Sequence, residues 1–316
     1  MSLNPMNLLS QLPGAVAQGL IWGIMAMGVY ITYRILDLAD LTVDGSFCTG
    51  AAVCVMMILN GHSVWVAIIC AFLAGMLTGL ATGLLHTVFG ISPILAGILT
   101  QLGLWSVNLA IMTRPNQSIS TNNYKLLVAL RFLDDVKKGL KPFYNHPIFV
   151  VGIFVIVIIA VLYWFFGTEL GCSIRATGAN INMARAQGIN TNVNKIIGLM
   201  LSNGMVALSG SLMAQYQNFA DINMGRGAIV IGLAAVIIGE VLFSKIFRNF
   251  ALKLLSVVLG SIIYYIVMQT VLWLNIDANY LKLFSALVVA VCLGMPYLKA
   301  KYITPIQQRK RGKSNA

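Results

Sequence analysis

Gly45-Ser-Phe-Cys-Thr-Gly-Ala-Ala-Val-Cys-Val-Met-Met-Ile-Leu-Asn60 opens a stretch that runs to Thr113 without a single Asp, Glu, Lys or Arg. A bilayer span takes about 20 predominantly apolar residues, so this window has room for about three helices. Two more charge-free windows follow, at 142–168 and 196–220. Their apolar runs are continuous rather than alternating in polarity, which excludes a transmembrane β-barrel. The chain as a whole is 59% hydrophobic and 9% charged, where soluble domains carry about a quarter charged residues. The expected fold class is an all-α polytopic membrane protein, one transmembrane domain over 1–316.

Working outward from the first window, the apolar runs predict about nine helices, at 15–36, 41–59, 64–88, 92–113, 147–167, 192–217, 226–243, 250–272 and 281–298. Breaks fall at Asn60-Gly-His-Ser63, 90–93, 218–225 and 275–279. No cleavable signal peptide is expected, because the first basic residue is Arg34 and no basic segment precedes the apolar run.

The net charge of +12 would suggest nucleic acid in a soluble protein. Here the cations sit in loops and tail, as the positive-inside rule requires, and no nucleic-acid partner is expected. Arg34, Arg175, Arg185, Lys195, Lys245, Arg248, Lys253 and the basic tail 299–316 favour a cytoplasmic C-terminus. The long loop 114–146 opposes that assignment, since it carries six cations and falls outside. Within it, Leu126, Leu127, Leu130, Leu133 and Val136 recur at helical steps. Residues 124–138 therefore read as an amphipathic helix on the outer interface, either packed on the bundle or docking a partner.

No catalytic or metal constellation is visible. His62, His86 and His146 are far apart, and no HExxH, CxxC or GxSxG occurs. Cys48, Cys54, Cys70, Cys172 and Cys292 show no paired spacing, and neither disulfide, metal nor cofactor is expected. Gly312-Lys-Ser314 resembles the end of a phosphate loop, but position 307 is Gln where the loop needs Gly. The chain is not expected to hydrolyse ATP.

Intramembrane acids are costly and tend to be functional. Asp37, Asp40 and Asp44 cluster after the first span, and Glu240 ends the seventh. All acids fall near expected span ends, which argues against a proton- or sodium-coupled carrier. Asp40 and Asp44 read either as helix caps, with Asp44 or Ser46 capping the next helix, or as pathway and gating residues. Gly75, Gly79 and Gly83 recur every four residues, a face that permits close helix contact. A weak internal repeat pairs Gly19–Leu59 with Gly198–Leu242 and sets Ala39-Asp-Leu-Thr42 against Ala220-Asp-Ile-Asn223. In the expected topology the two halves are inverted, with Asp40 toward the inside and Asp221 toward the outside, a common transporter plan.

The one extended polar insert between apolar runs is the loop 168–195, containing Gly171-Cys-Ser-Ile-Arg-Ala-Thr-Gly-Ala-Asn-Ile-Asn-Met-Ala-Arg-Ala-Gln-Gly-Ile-Asn190. Asn180 reads as an N-cap and Gly188 as a C-terminal stop. One or two helical turns between them would lie along the inner face with Arg outward. Ala176, Ala179, Ala184 and Ala186 would give a small-residue face suited to a groove.

Gly171, Arg175, Ala176, Gly178, Asn180, Ala184, Gly188 and Ile189, followed by Leu208-Ser-Gly210 and Ala234-Ala-Val-Ile-Ile-Gly239, resemble the branched-chain amino acid/ribose permease family of ATP-binding-cassette importers. The resemblance covers roughly 19–298. Glu240 after Gly239, and Ser244-Lys-Ile-Phe247 in place of a Gly-rich turn, depart from ribose-type members and count against a sugar. Leu36-Asp-Leu-Ala-Asp-Leu-Thr-Val-Asp-Gly-Ser-Phe47 looks like the branch named tryptophan/tyrosine transport permeases. The resemblance implies the permease fold of these importers in a bacterial plasma membrane and an amino acid substrate, aromatic as the first expectation. It implies three partners: a cytoplasmic ATPase dimer, an external substrate-binding protein and a second permease copy. It also implies that the eight residues named first belong to the ATPase-coupling element. Asp40, Asp44, Ser46, Asp221 and Glu240 are the candidate pathway or gating residues. A secondary carrier and a non-transporting scaffold or membrane enzyme are the competing readings.

Overall fold

The computed structural model describes residues 5–120, 124, 126–137, 146–243, 246–247, 249–274 and several positions between 283 and 294. Its helices are α1 (Pro5–Tyr30), α2 (Val43–Leu59), α3 (Val64–Thr87), α4 (Pro93–Met112), α5 (Arg131–Lys137), α6 (Pro147–Phe165), α7 (Glu169–Ala179), α8 (Ile181–Ala186), α9 (Thr191–Gln217), α10 (Ala228–Phe243) and α11 (Phe250–Trp273). A π-helical segment, Ile31–Ile35, prolongs α1. Strands β1 (Asn116–Ser118) and β2 (Phe219–Asp221) pair antiparallel, with Asn116 opposite Asp221.

Among the described residues six helices are long and apolar enough to cross a bilayer, and α2 and α10 are shorter apolar helices. The fold is that of an all-α, multi-pass membrane protein, and nine is an approximate span number. The expected ninth span, 281–298, falls largely outside the described residues, and the tail 299–316 wholly so. The first helix starts at Pro5 rather than 15 and carries Pro13 inside it.

Small residues set the packing. Gly75, Gly79 and Gly83 press α3 onto α9, where a methyl group would run into Asn203 and Ala207, Leu199 and Met200, and Ile196 respectively. The four-residue glycine spacing thus marks a real helix contact. Gly50 meets the backbone of Ala207, Gly210 that of Phe47, and Gly239 that of Ser256. Without hydrophobic drive inside a bilayer, this close approach supplies the van der Waals gain that holds helices together.

Helices α1 and α9 run antiparallel. Ser209 Oγ donates to Ile21 O and Ser202 Oγ donates to Gly28 O, both at 2.7 Å. Each is followed by a non-helical segment and then a short apolar helix that begins inside the bundle. Asp40 Oδ1 accepts from Thr42 N at 2.9 Å, and Asp221 Oδ1 accepts from Asn223 N at 2.7 Å. The two segments paired by the repeat therefore make the same local turn, an i to i+2 side-chain bond. Their surroundings differ, since Asp40 is 3% exposed and Asp221 is half-buried in the ribbon.

The reading of 41–59 and 226–243 as full spans is corrected. At 17 and 16 residues, α2 and α10 are about 25 Å long, short of a hydrocarbon core of about 30 Å. The amphipathic helix 124–138 is corrected too. Among the described residues of this stretch the helix is Arg131–Lys137, while Val128 and Ala129 are buried. Leu127 N bonds Gln215 Oε1 and Leu130 N bonds Tyr216 O, so this segment is tied to the end of α9.

Candidate functional site

Three groups of residues stand out, at two depths and one end of the bundle. The first is a buried polar chain. Asp40 lies in the segment that leads into α2, and its Oδ2 accepts from Asn203 Nδ2 on α9 at 2.7 Å. Asn203 Oδ1 in turn accepts from Ser46 Oγ at 2.6 Å. The Ser46 and Thr78 hydroxyls lie 2.7 Å apart. Beside them the hydroxyls of Thr42 and Thr82 are 2.7 Å apart, and Thr82 Oγ1 donates to Thr100 Oγ1 at 3.0 Å. Four elements (36–42 with α2, α3, α4 and α9) are joined where apolar packing alone would leave them free to slide. The expectation that every acid lies near a span end fails at Asp40, because the chain unwinds inside the bundle after Ile35 and carries it inward.

The second group surrounds Asp44, in the first turn of α2. Its Oδ2 accepts from Gly227 N at 2.9 Å and its Oδ1 from Ile229 N at 3.0 Å. Asp44 therefore does cap a helix, but not its own. The N-cap of α2 is Thr42, which makes no side-chain cap bond, and the capped helix is α10. Ser46 is not a cap either, being engaged with Asn203. Next to Asp44 a cavity of about 250 Å³ is lined by Gln101, Leu102, Trp105 and Asn108 of α4, with Arg226 and Ile222 from the segment before α10.

The third group is the insert after α6. Between Asn180 and Gly188 it forms the expected one or two turns, as α8, and a further helix, α7, precedes them. Thr168 Oγ1 caps α7 by accepting from Gly171 N at 3.3 Å. Asn180 caps α8 by accepting from Met183 N at 3.1 Å. Gly188 has φ +78° and its N–H bonds Arg185 O, so it ends α8 in the left-handed conformation that glycine adopts freely. Asn194 Nδ2 donates to Thr177 Oγ1 at 3.0 Å, pinning α7 to α9.

The two arginines differ. Arg185 is exposed and its Nε donates to Thr191 Oγ1 at 3.1 Å. Arg175 instead turns inward, its guanidinium 4.2 Å from the Phe250 ring centre and 5.5 Å from that of Phe166. The alanines do not form one face: Ala184 is buried, Ala176 half-buried, and Ala179 and Ala186 exposed. Gly171 and Gly178 are packing residues, set against the backbone of Phe166 and of Ile35–Leu36. Ile189 is half-buried and its N–H bonds Ala184 O. What α8 presents outward is Met183, 63% exposed, with Asn182, Arg185 and Ala186.

Of the expected pathway residues, Asp40, Ser46 and Asp44 come together around the start of α2. Asp221 lies in the ribbon, where its carbonyl accepts from Cys48 Sγ at 3.5 Å. Glu240 is apart from all of these. It pairs with Arg34 Nε at 3.0 Å near Arg175, at the α7–α8 end. Sequence reasoning missed Asn203, Thr78, Thr82, Asn108 and Arg226. An Asn inside the charge-free window 196–220 was the available signal, since amides within spans act as glue between helices. Among the described residues no cluster of His, Cys, Asp or Glu could hold a metal.

A family model described as "Branched-chain amino acid transport system / permease component" matches residues 12–293. The chain is 38% identical to the tyrosine transport system permease protein of Clostridioides difficile, over 96% of this chain and 99% of that one. It is 27% identical to the autoinducer 2 import system permease protein LsrC of Escherichia coli, over 69% and 60% of the two chains. Among solved structures, a chain of PsaBC from Streptococcus pneumoniae in complex with Fab superposes with a TM-score of 0.53 at 14% identity, covering 94% of this chain and 100% of that chain. That likeness is one of fold.

Proposed function

This chain belongs to the permease-component family of branched-chain amino acid transport systems, and from that premise we propose how it works and what it carries. It is the membrane-spanning subunit of an ATP-binding-cassette importer, and ATP hydrolysis belongs to a separate subunit. The proposed cargo is an amino acid, aromatic as first choice. The observation that carries this is the 38% identity, end to end, with a tyrosine transport system permease protein.

In this reading the α7–α8 end faces the cytoplasm of a bacterial cell, as does the C-terminus. Helix α8, rigidly capped at Asn180 and Gly188 with Met183 and Arg185 outward, enters a groove of the ATPase. Gly171, Arg175, Ala176, Gly178, Ala184 and Ile189 build the platform under it. Movement of α8 is passed through α7 and the Asn194–Thr177 bond to α9, and from Asn203 to Asp40 and Ser46. The β-ribbon end receives an external substrate-binding protein. Two copies pack together with the route between them. The flank between α4 and α10 is the proposed pathway wall, because Asp44, Gln101 and Arg226 open on it and charged groups avoid acyl chains. Asp40, Ser46 and Asp221 support that wall, and the Arg34–Glu240 pair latches its cytoplasmic end.

The test is uptake of labelled L-tyrosine into vesicles holding the permease, its ATPase and its binding protein. ATP-dependent uptake that needs all three is expected. Uptake without the ATPase would instead indicate a secondary carrier.

A further inference from the structure

The cavity beside Asp44 has a chemistry that goes beyond a polar lining. Asp44 and Arg226 both line it, yet no ion pair within 4 Å joins Arg226 to any acid among the described residues. Asp44 is half-buried and Arg226 exposed, and an oppositely charged pair lining one small cavity gains from pairing where geometry allows. Here the pairing is prevented by construction. Asp44 is held by Gly227 N and Ile229 N, the residues flanking Ala228. Its carboxylate keeps free lone pairs after accepting those two bonds.

The rest of the wall sorts the same way. Asn108 is buried, and its Nδ2 donates to Gly45 O at 3.4 Å. Its Oδ1 is buried without a partner, sealed behind the wall rather than presented by it. Trp105 and Leu102 are 46% and 66% exposed, one helical turn of α4 apart, and offer a flat apolar surface beside the charges. A simple cation would leave Arg226 uncompensated, a simple anion would leave Asp44 so, and a neutral sugar would serve neither.

We propose that this cavity is a binding station for the zwitterionic head of an α-amino acid with an aromatic or large apolar side chain. The ammonium lies at Asp44. The carboxylate lies at Arg226, and the side chain lies against Trp105 and Leu102. The assignment rests on the reading of this flank as the solute pathway. It adds that the permease itself, and not only a binding protein, recognises the substrate class.

The experiment places a single cysteine at Gln101 (Gln101→Cys) in a cysteine-free permease in lipid nanodiscs and follows its reaction with a small charged thiol reagent. L-tyrosine, L-tryptophan and L-leucine are the probes. Tyramine, which lacks the carboxylate, and 3-(4-hydroxyphenyl)propionate, which lacks the ammonium, are the controls. Expected is slowing by at least one of the amino acids, to half the rate at its Kd, none by the one-charge analogues, and loss of protection in Arg226→Gln with recovery in Arg226→Lys. No protection by any of the three amino acids, or equal protection by an analogue, overturns the site. Uptake by the assembled importer is measured in parallel. Uptake without protection refutes the station and leaves the transport reading standing. Protection without uptake supports the station and refutes the transport reading.

Discussion

Asp44 on α2 and Gly227 at the entry to α10 are joined by a 2.9 Å bond from the Gly227 N–H to the Asp44 carboxylate, across 183 positions of sequence. With Ile229 N bonded to the other oxygen, one side chain of the first half of the chain caps a helix of the second. A helix that starts below the membrane surface has no water to satisfy its first N–H groups. Asp44 supplies acceptors and a charge suited to the positive end of α10.

Replacement of Asp44 separates capping from charge. Asp44→Asn keeps one acceptor and should lower stability by about 1 kcal/mol, while Asp44→Leu strands two donors and should cost about 2–4 kcal/mol. Thermal unfolding of the purified protein in detergent reads both. If Asn and Leu melt alike, the cap is not what Asp44 contributes. If Asn melts normally but transports poorly, its charge is what the pathway needs.

Asn203 joins Asp40 to Ser46. Asn203→Leu removes the donor to Asp40 Oδ2 and leaves this buried carboxylate to Thr42, and a loss of about 2–3 kcal/mol is expected. Asn203→Asp sets two carboxylates face to face and should be worse. Adding Asp40→Asn to it restores an amide–carboxylate pair with reversed ends. The double variant should regain a good part of the melting temperature, as a coupled pair does. Strict additivity of the two changes would show that the bond carries no stability.

The α3–α9 contact is sensitive to single methyl groups. A Cβ at Gly79 would lie 2.7 Å from the Leu199 carbonyl carbon, so Gly79→Ala should cost about 1–3 kcal/mol by overpacking. At Gly103 on α4 nothing lies within 4 Å, so Gly103→Ala should be neutral or stabilise by up to about 1 kcal/mol through helix propensity. Fluorescence-detected size-exclusion melting of the two variants checks the contrast, and equal effects would refute the packing account.

For ATPase docking, the outward side chains of α8 are better probes than the glycines. Gly178 supports the backbone of Ile35, so a bulky residue there should misfold the element as well as uncouple it. Met183→Asp and Ala186→Trp should leave the melting temperature unchanged and reduce co-purification of the ATPase. Wild-type co-purification in both variants would move the docking element elsewhere.

Sidedness is open to labelling. In a cysteine-free background, a cysteine at Arg114 near the ribbon should react with an impermeant reagent in intact cells. One at Gln187, just past α8, should react only after lysis. The reverse pattern would invert the topology.

Sequence alone determined the membrane class, the boundaries of most helices and the two ends of α8. Those features rest on local properties. Charge-free length sets a span, Asn180 bonds a backbone N–H three residues ahead, and Gly188 adopts a φ that other residues avoid. The family signature was likewise legible, because it is a string of residues. Which helices are short, which acids are buried and what each polar group touches was decided by tertiary structure. Asp44 read as a cap, but its helix starts 184 positions later, and no local rule points that far. Asp40 read as lying at a span end, because the sequence does not show that segment 36–42 turns inside the bundle. Arg185 read as outward and is exposed, but the partners of Arg175 were not legible, because the rings of Phe166 and Phe250 that hold it come together only when α6 and α11 pack. Bonds within four residues can be read from sequence because the helix fixes their geometry. Bonds across the bundle cannot, because packing fixes theirs.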